Sequence, residues 1–160
     1  MGTRLRVKGN SIVSSAENIE LVEKWRKAVN DRDLEGVVAS YAPDAHVWSP
    51  RLELVFGPEG IRGRDMIREQ QQVFFDTWRD GVVTRHEVFA TGDRVVLLGQ
   101  MGGTHSIPYT VPGGKTYAPT GNDAKAEIAA VFTVRDGLIQ ENLEYYDYLS
   151  LAQKVGLVFP

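Results

Sequence analysis

Few side chains in this sequence can move a proton near neutrality, and their surroundings decide what chemistry each supports. The histidines are His46, His86 and His105. An imidazole with an unperturbed pKa of about 6.5 suits general acid/base work at physiological pH. His105 ends the glycine-rich run Gly102-Gly-Thr-His. Read chemically it is a pocket acid/base; read structurally it is a strand-end histidine bonded to a loop. Glu127 and Glu144 both lie in strand-like apolar surroundings. Glu127 is either a carboxylate facing a pocket or one of the alternate residues that a half-buried strand turns outward. Glu144 precedes Tyr145-Tyr146-Asp147. Turned inward, its pKa would rise and make it a usable base; turned outward, it would pair with a Lys or Arg. Trp25, Trp48, Phe74, Trp78 and Phe132, together with His46 and Tyr145, are the candidates to line a ligand cavity. Each of the large aromatics is equally good core material.

Other chemistries are excluded or unsupported. The chain has no cysteine, which removes disulfides, thiolate nucleophiles and Cys-based zinc sites. The histidines lack the short helical spacing of familiar zinc motifs, so no metal is expected. The pairs Gly102-Gly103 and Gly113-Gly114 do not resemble phosphate loops. A net charge of -3 gives no footprint for nucleic acid or an anionic membrane. No apolar run approaches the roughly 20 residues of a membrane span. Absence of cysteine fits a cytoplasmic protein.

The elements that must position these residues follow from periodicity. In a chain of 160 residues there is room for one core. We expect a flexible tail over 1–15 and a single domain over 16–160. Ser14-Ser-Ala-Glu17 has capping-box spacing. Ile19, Val22, Trp25 and Val29 then recur at helical spacing. Asp33 caps a second helix, with Leu34, Val37, Val38 and Tyr41 on one side. Ala42-Pro-Asp44 reads as a turn, Ala45 to Ser49 as a short strand ended by Pro50, and 57–60 as loop. A third helix lies within 63–80, with Ile67, Gln71, Phe74 and Trp78 on one stripe.

Strand character follows: 82–90, then 94–105 after a Gly92-Asp93 turn. Gly99, Gly102 and Gly103 predict a bulge or bend. The segment 106–122 reads as a loop or excursion. Ile128 to Val134 and Leu138 to Tyr145 are two strands joined by Asp136-Gly137, the strongest hairpin signal in the chain. Asp147 caps a short final helix. Helices first and meandering strands afterwards predict an α+β domain. About three N-terminal helices are expected on one face of its curved antiparallel or mixed sheet. The hollow of such a sheet is a natural pocket for a hydrophobic small molecule.

Several words of the sequence carry a family likeness: Val29-Asn-Asp-Arg-Asp-Leu-Glu-Gly36, Tyr41-Ala-Pro-Asp-Ala45, Gly103-Thr-His105, Val134-Arg-Asp-Gly-Leu-Ile139 and the run from Tyr146 to Gly156. Through them the chain resembles SnoaL-like proteins, the polyketide cyclase group of the nuclear transport factor-like α+β cone superfamily. The resemblance covers roughly Glu17 to Leu157. It implies a cofactor-free homodimer that binds a polyketide ester in the cone and closes a ring by an intramolecular aldol reaction. It also places a catalytic Asp where this chain has Ala130. His105 of the Gly-Thr-His word is present, and Glu127 or Glu144 is the candidate replacement carboxylate. Steroid isomerases of the same fold would put their base on Ser49, their oxyanion Tyr on Trp25 and their protonated Asp near Ala130. Limonene-type epoxide hydrolases would use Arg94 and Glu144, with the remaining acid falling on Val96. A cofactor-free enzyme using His105 and a carboxylate, and a non-catalytic binding protein of the same fold, are the two expectations.

Overall fold

The computed structural model describes residues 15–110 and 115–156. The expected tail and the Ser14 end of the capping box lie outside the described residues. The elements run α1 (Ser15–Asn30), α2 (Leu34–Ala39), β1 (Tyr41–Trp48), α3 (Pro50–Phe56), β2 (Ile61–Arg62), α4 (Arg64–Thr77), β3 (Val82–Val83), β4 (Glu87–Thr91) and β5 (Arg94–Thr104). They continue with β6 (Tyr109–Thr110), β7 (Thr116–Tyr117), β8 (Asp123–Arg135), β9 (Leu138–Tyr146) and α5 (Tyr148–Lys154). The main sheet has the order β2-β1-β9-β8-β5-β3, with β4 also paired to β5. All of its pairings are antiparallel except β1 with β9. This is the expected α+β architecture, a curved, unclosed sheet under helices.

The hairpin between β8 and β9 forms for the reason the sequence gives. Asp136 and Gly137 both take positive φ, 53° and 70°, as a primed two-residue turn requires. Helix α1 turns Val22, Trp25 and Val29 into the same buried cluster as Val95, Leu97 and Phe132. The Trp25 and Phe132 rings meet edge to face at 5.1 Å, an arrangement worth about 1 kcal/mol beyond burial. Asp33 caps α2 through the Gly36 amide, and Asp147 caps α5 through the Ser150 amide, both as expected.

Two local readings are corrected. Tyr41 does not end the second helix; it opens β1, which runs straight through Ala42-Pro-Asp44. Pro43 is accommodated because the pairing with β9 shifts register between Tyr41 and His46, leaving no ladder amide to supply there. Pro50 does not simply end a strand. It occupies the first turn of α3, where its missing amide costs nothing, and Ser49 accepts from the Leu52 amide as N-cap. The glycines of β5 leave its ladder with β8 uninterrupted from Arg94↔Thr133 to Thr104↔Asp123, while on the opposite edge the register moves by one residue between Val82↔Gly102 and Glu87↔Leu98, the irregularity expected there. They also admit close neighbours: a Cβ on Gly99 would collide with the Thr84 carbonyl oxygen.

Strand alternation gives the sheet two unlike faces. Val95, Leu97, Ile128, Ala130, Phe132 and Asn142 are buried on the concave side. On the convex side, register aligns Phe89, Val96, Val131, Leu143 and Trp48 in one apolar row across five strands. Beside it runs a charged and polar row that includes Arg94, Thr133, Glu141, His46 and Arg62. The 106–122 excursion contributes the small β6·β7 hairpin. Tyr109 from it joins Ala124, Ala126, Leu151, Ala152 and Val155 in a second buried cluster.

Candidate functional site

Helices α1 and α4 cannot lie flat on a curved sheet, and the space left over is a cavity. Trp25 and Val29 wall it from α1, Ile67, Phe74 and Trp78 from α4 and its end, and Leu151 from α5. The enclosed part of the hollow measures about 130 Å³ and continues into an open mouth. Its lining is mostly apolar, with polar groups at defined places.

One polar place is the floor at β9. Glu144 borders the cavity and is half-buried. Burial pushes its carboxyl up from 4.5 to about 7, partly offset by the hydrogen bond from Asn142. No cation lies within ion-pair distance of it among the described residues. Asn142 Nδ2 donates to Glu144 Oε1 (3.0 Å) and to the Tyr41 hydroxyl (3.1 Å). The Tyr41 hydroxyl is held protonated by burial and by the nearby Glu144 charge, against smaller opposing effects of Asn142 and Trp25. Tyr41 also lines the cavity.

Register explains why a carboxylate stands here. In the β8·β9 ladder, Ala130 pairs directly with Glu144. Directly opposed residues of an antiparallel pair point to the same face. A carboxylate is therefore present beside the position where the family resemblance places its Asp, delivered from the neighbouring strand.

The second polar place is the mouth. Arg51 of α3 lines the cavity, donating from Nε to the Tyr109 hydroxyl (3.3 Å) and from Nη1 to Gln70 Oε1 (3.0 Å). The Tyr109 and Tyr148 hydroxyls are 3.4 Å apart.

The other residues singled out from sequence are distributed differently. Trp25, Phe74 and Trp78 line the cavity. Phe132 is fully buried behind Trp25. His105 is fully buried but does not border the cavity, contrary to the pocket reading. Its Nδ1 accepts the Thr120 amide (3.3 Å) and its ring packs on Trp78, the strand-end arrangement. Burial lowers its pKa, which the Ile107 backbone opposes. The Gly-Thr-His word is thus a fastening: Thr104 bonds Asp80 through its amide (2.8 Å) and hydroxyl (2.6 Å), while His105 holds the 120 loop. Glu127 is exposed on the convex face, beside Gln100 and His86.

His46, Trp48 and Tyr145 are also on the convex face, out of step with their inward neighbours. His46 bonds Glu141 (3.2 Å) and the Glu59 carbonyl (2.8 Å), and Trp48 packs on Tyr145 at 5.3 Å. Arg94 pairs with Glu141 on that side too, so the epoxide-hydrolase grouping with Glu144 is not assembled. Sequence reasoning passed over Tyr41, Arg51, Tyr109 and Asn142. The Ser49-Pro50 helix start was the signal that would have exposed Arg51. No group of three or more acidic, His or Cys side chains suited to a metal ion occurs among the described residues.

A curved, unclosed sheet with helices over its hollow and polar groups on the floor is the cone of nuclear transport factor-like proteins. A SnoaL-like domain model matches residues 22–142, and the chain belongs to that family. Among solved structures it is similar to AclR, a hydroxylase candidate from Streptomyces galilaeus, at 20% identity, TM-score 0.74, covering 91% of this chain and 100% of that one. It is similar to IdmH, a polyketide cyclase candidate from Streptomyces antibioticus, at 24% identity and TM-score 0.70, covering 87% and 98%. An LEH-like epoxide hydrolase from M. tuberculosis matches at 18% identity and TM-score 0.62, covering 88% and 90%. At these identities the likeness is one of fold. No curated protein matches the sequence. No helix among the described residues is long and apolar enough to cross a membrane.

Proposed function

We propose that the protein binds a hydrophobic small molecule in the cone and carries out acid/base chemistry on it, of the polyketide-type aldol cyclisation or isomerisation class. Glu144 moves the proton. The observation that carries this reading is the Ala130↔Glu144 pairing, which supplies a cavity-facing carboxylate with a pKa pushed up to about 7. Ionised Glu144 takes a proton from a carbon activated by an adjacent carbonyl, and the C–H electron pair passes into the enolate. The protonated Tyr41 hydroxyl donates to the enolate oxygen, steadied by Asn142. In a cyclisation the enolate carbon then attacks an internal carbonyl, and the new alkoxide recovers the proton from Glu144. In an isomerisation the proton returns to a different carbon. The apolar walls keep water from quenching the enolate.

The test is incubation with a panel of polyketide esters and steroids, read by chromatographic retention because either reaction leaves mass unchanged. A new product from the native protein is expected, reduced about 10²- to 10⁴-fold in Glu144→Gln. Turnover unchanged in that variant would remove Glu144 from the role. The second reading is a non-catalytic binding protein, favoured by Ala130 and the mostly apolar walls. A ligand retained unaltered across the panel would support it.

A homodimer through the convex face belongs to the same proposal. The apolar row from Phe89 to Trp48 offers a desolvation surface, and the flanking row carries both Arg94 and Glu141, so a twofold copy can set acid against base. Sedimentation velocity is expected to give twice the chain mass; a monomer at all accessible concentrations would refute it.

A further inference from the structure

We propose that the ligand of this cavity carries an anionic group, a carboxylate or acidic enolate on an apolar body, and that Arg51 at the mouth receives it. This rests on the cavity being a ligand site, as proposed above, but not on Glu144 being catalytic. Arg51 is partly buried and borders the cavity. Its only hydrogen-bond partners among the described residues are neutral: the Tyr109 hydroxyl and the Gln70 side-chain carbonyl. No carboxylate lies within ion-pair distance of it there. Every other cavity-lining charge is accounted for by Glu144 on the floor, and Arg51 does not figure among the influences on that carboxyl.

A guanidinium withdrawn from water, held by two neutral acceptors and left without an anion, is organised to take one from outside the chain. Nη2 has no acceptor among the described residues and remains available. The Tyr148 hydroxyl, paired with that of Tyr109 beside Arg51, adds a neutral donor to the same rim. The cavity thus carries two unlike charged groups, the Glu144 carboxyl and the Arg51 guanidinium, and the Tyr146 hydroxyl lies within reach of both. A molecule that fills it places its charged end at Arg51 and its body against Trp25 and Trp78.

Those two tryptophans make binding visible as a change in fluorescence. Naphthoate and its neutral isostere naphthamide are the probes, titrated at about pH 8, where the free carboxylate is fully ionised. We expect naphthoate to bind the native protein about tenfold tighter or more, and Arg51→Gln to abolish the preference while naphthamide still binds. Arg135→Gln removes the same unit of charge beside the β8·β9 turn, away from the cavity, and should leave the preference intact. Arg51→Lys, retaining the charge, should keep part of it, which guards against misreading a folding defect. Equal binding of the two probes by the native protein would overturn the anionic-ligand inference while leaving the cavity reading standing. A preference that survives Arg51→Gln would overturn the assignment to Arg51. Binding of neither probe would overturn both the inference and the ligand-site reading beneath it.

Discussion

The two faces of the sheet are made by the same strands and even by adjacent residues, yet they treat the same side chain in opposite ways. On the convex face, Glu127 and Glu141 each sit beside a histidine, and Glu141 also beside Arg94. Glu144, one step out of phase, has no cation within ion-pair distance among the described residues, and it accepts a hydrogen bond from the Asn142 amide. Outward acids are spent on surface pairs worth about 0–1 kcal/mol. The inward one is left with its protonation state poised near neutrality. What decides a carboxylate's chemistry here is the parity of its position in the strand.

The sharpest way to break that comparison is to move the inward carboxylate across the ladder. Glu144→Ala should cost turnover about 10²- to 10⁴-fold. Adding Ala130→Asp, which restores a carboxylate to the same face from the other strand, should recover at least tenfold of it. Recovery measured by product chromatography would show that the face matters more than the strand. Failure to recover would mean that Asn142 and Tyr41 position Glu144 in a way Asp at 130 cannot reproduce.

A middle-sized effect concerns stability. Between pH 4.5 and about 7 the unfolded chain has lost the Glu144 proton and the folded chain has kept it. The folded state then binds more protons, so stability falls as pH rises through that window and levels off above it. Because Glu144 borders an open cavity, the loss is on the order of 1–3 kcal/mol. Glu144→Gln should remove that slope and be the more stable protein above pH 7, as urea melts across pH would show. An unchanged slope would place the carboxyl in water. The smallest effect belongs to the convex face: Glu127→Gln should alter stability by no more than about 0.5 kcal/mol and leave turnover alone.

Much of the fold was legible because its signals are local. The Asp136-Gly137 turn, the Asp33 and Asp147 caps and the stripe of Ile67, Phe74 and Trp78 each needed only neighbouring residues to read. The site was less legible, because it depends on which way a strand faces. Glu127 and Glu144 looked alike until register put Ala130 opposite the latter. His105 was drawn toward the pocket by its motif, whereas the loop carrying Thr120 claims it. Arg51 was hidden by reading Pro50 as an end instead of the start of α3. Pro43 misled in the opposite sense, since a bulge that no short-range pattern announces lets it stay within β1.

One pairing sets when this protein can become functional. Strand β9 lies between β8, joined to it by two residues, and β1, which it meets in parallel from the far end of the chain. The bond from Asn142 to Tyr41 spans 101 positions. A nascent chain can make α1, α2 and β1 long before β9 exists, but it has nothing yet to lay them against. The hairpin of β8 and β9 closes quickly, while the parallel seam must wait for a large loop to close. The cavity floor is consequently among the last things built. Pulsed amide exchange during refolding should find the β8·β9 hairpin protected ahead of β1. Synthesis stopped short of β9 should yield an aggregation-prone chain and no binding site at all.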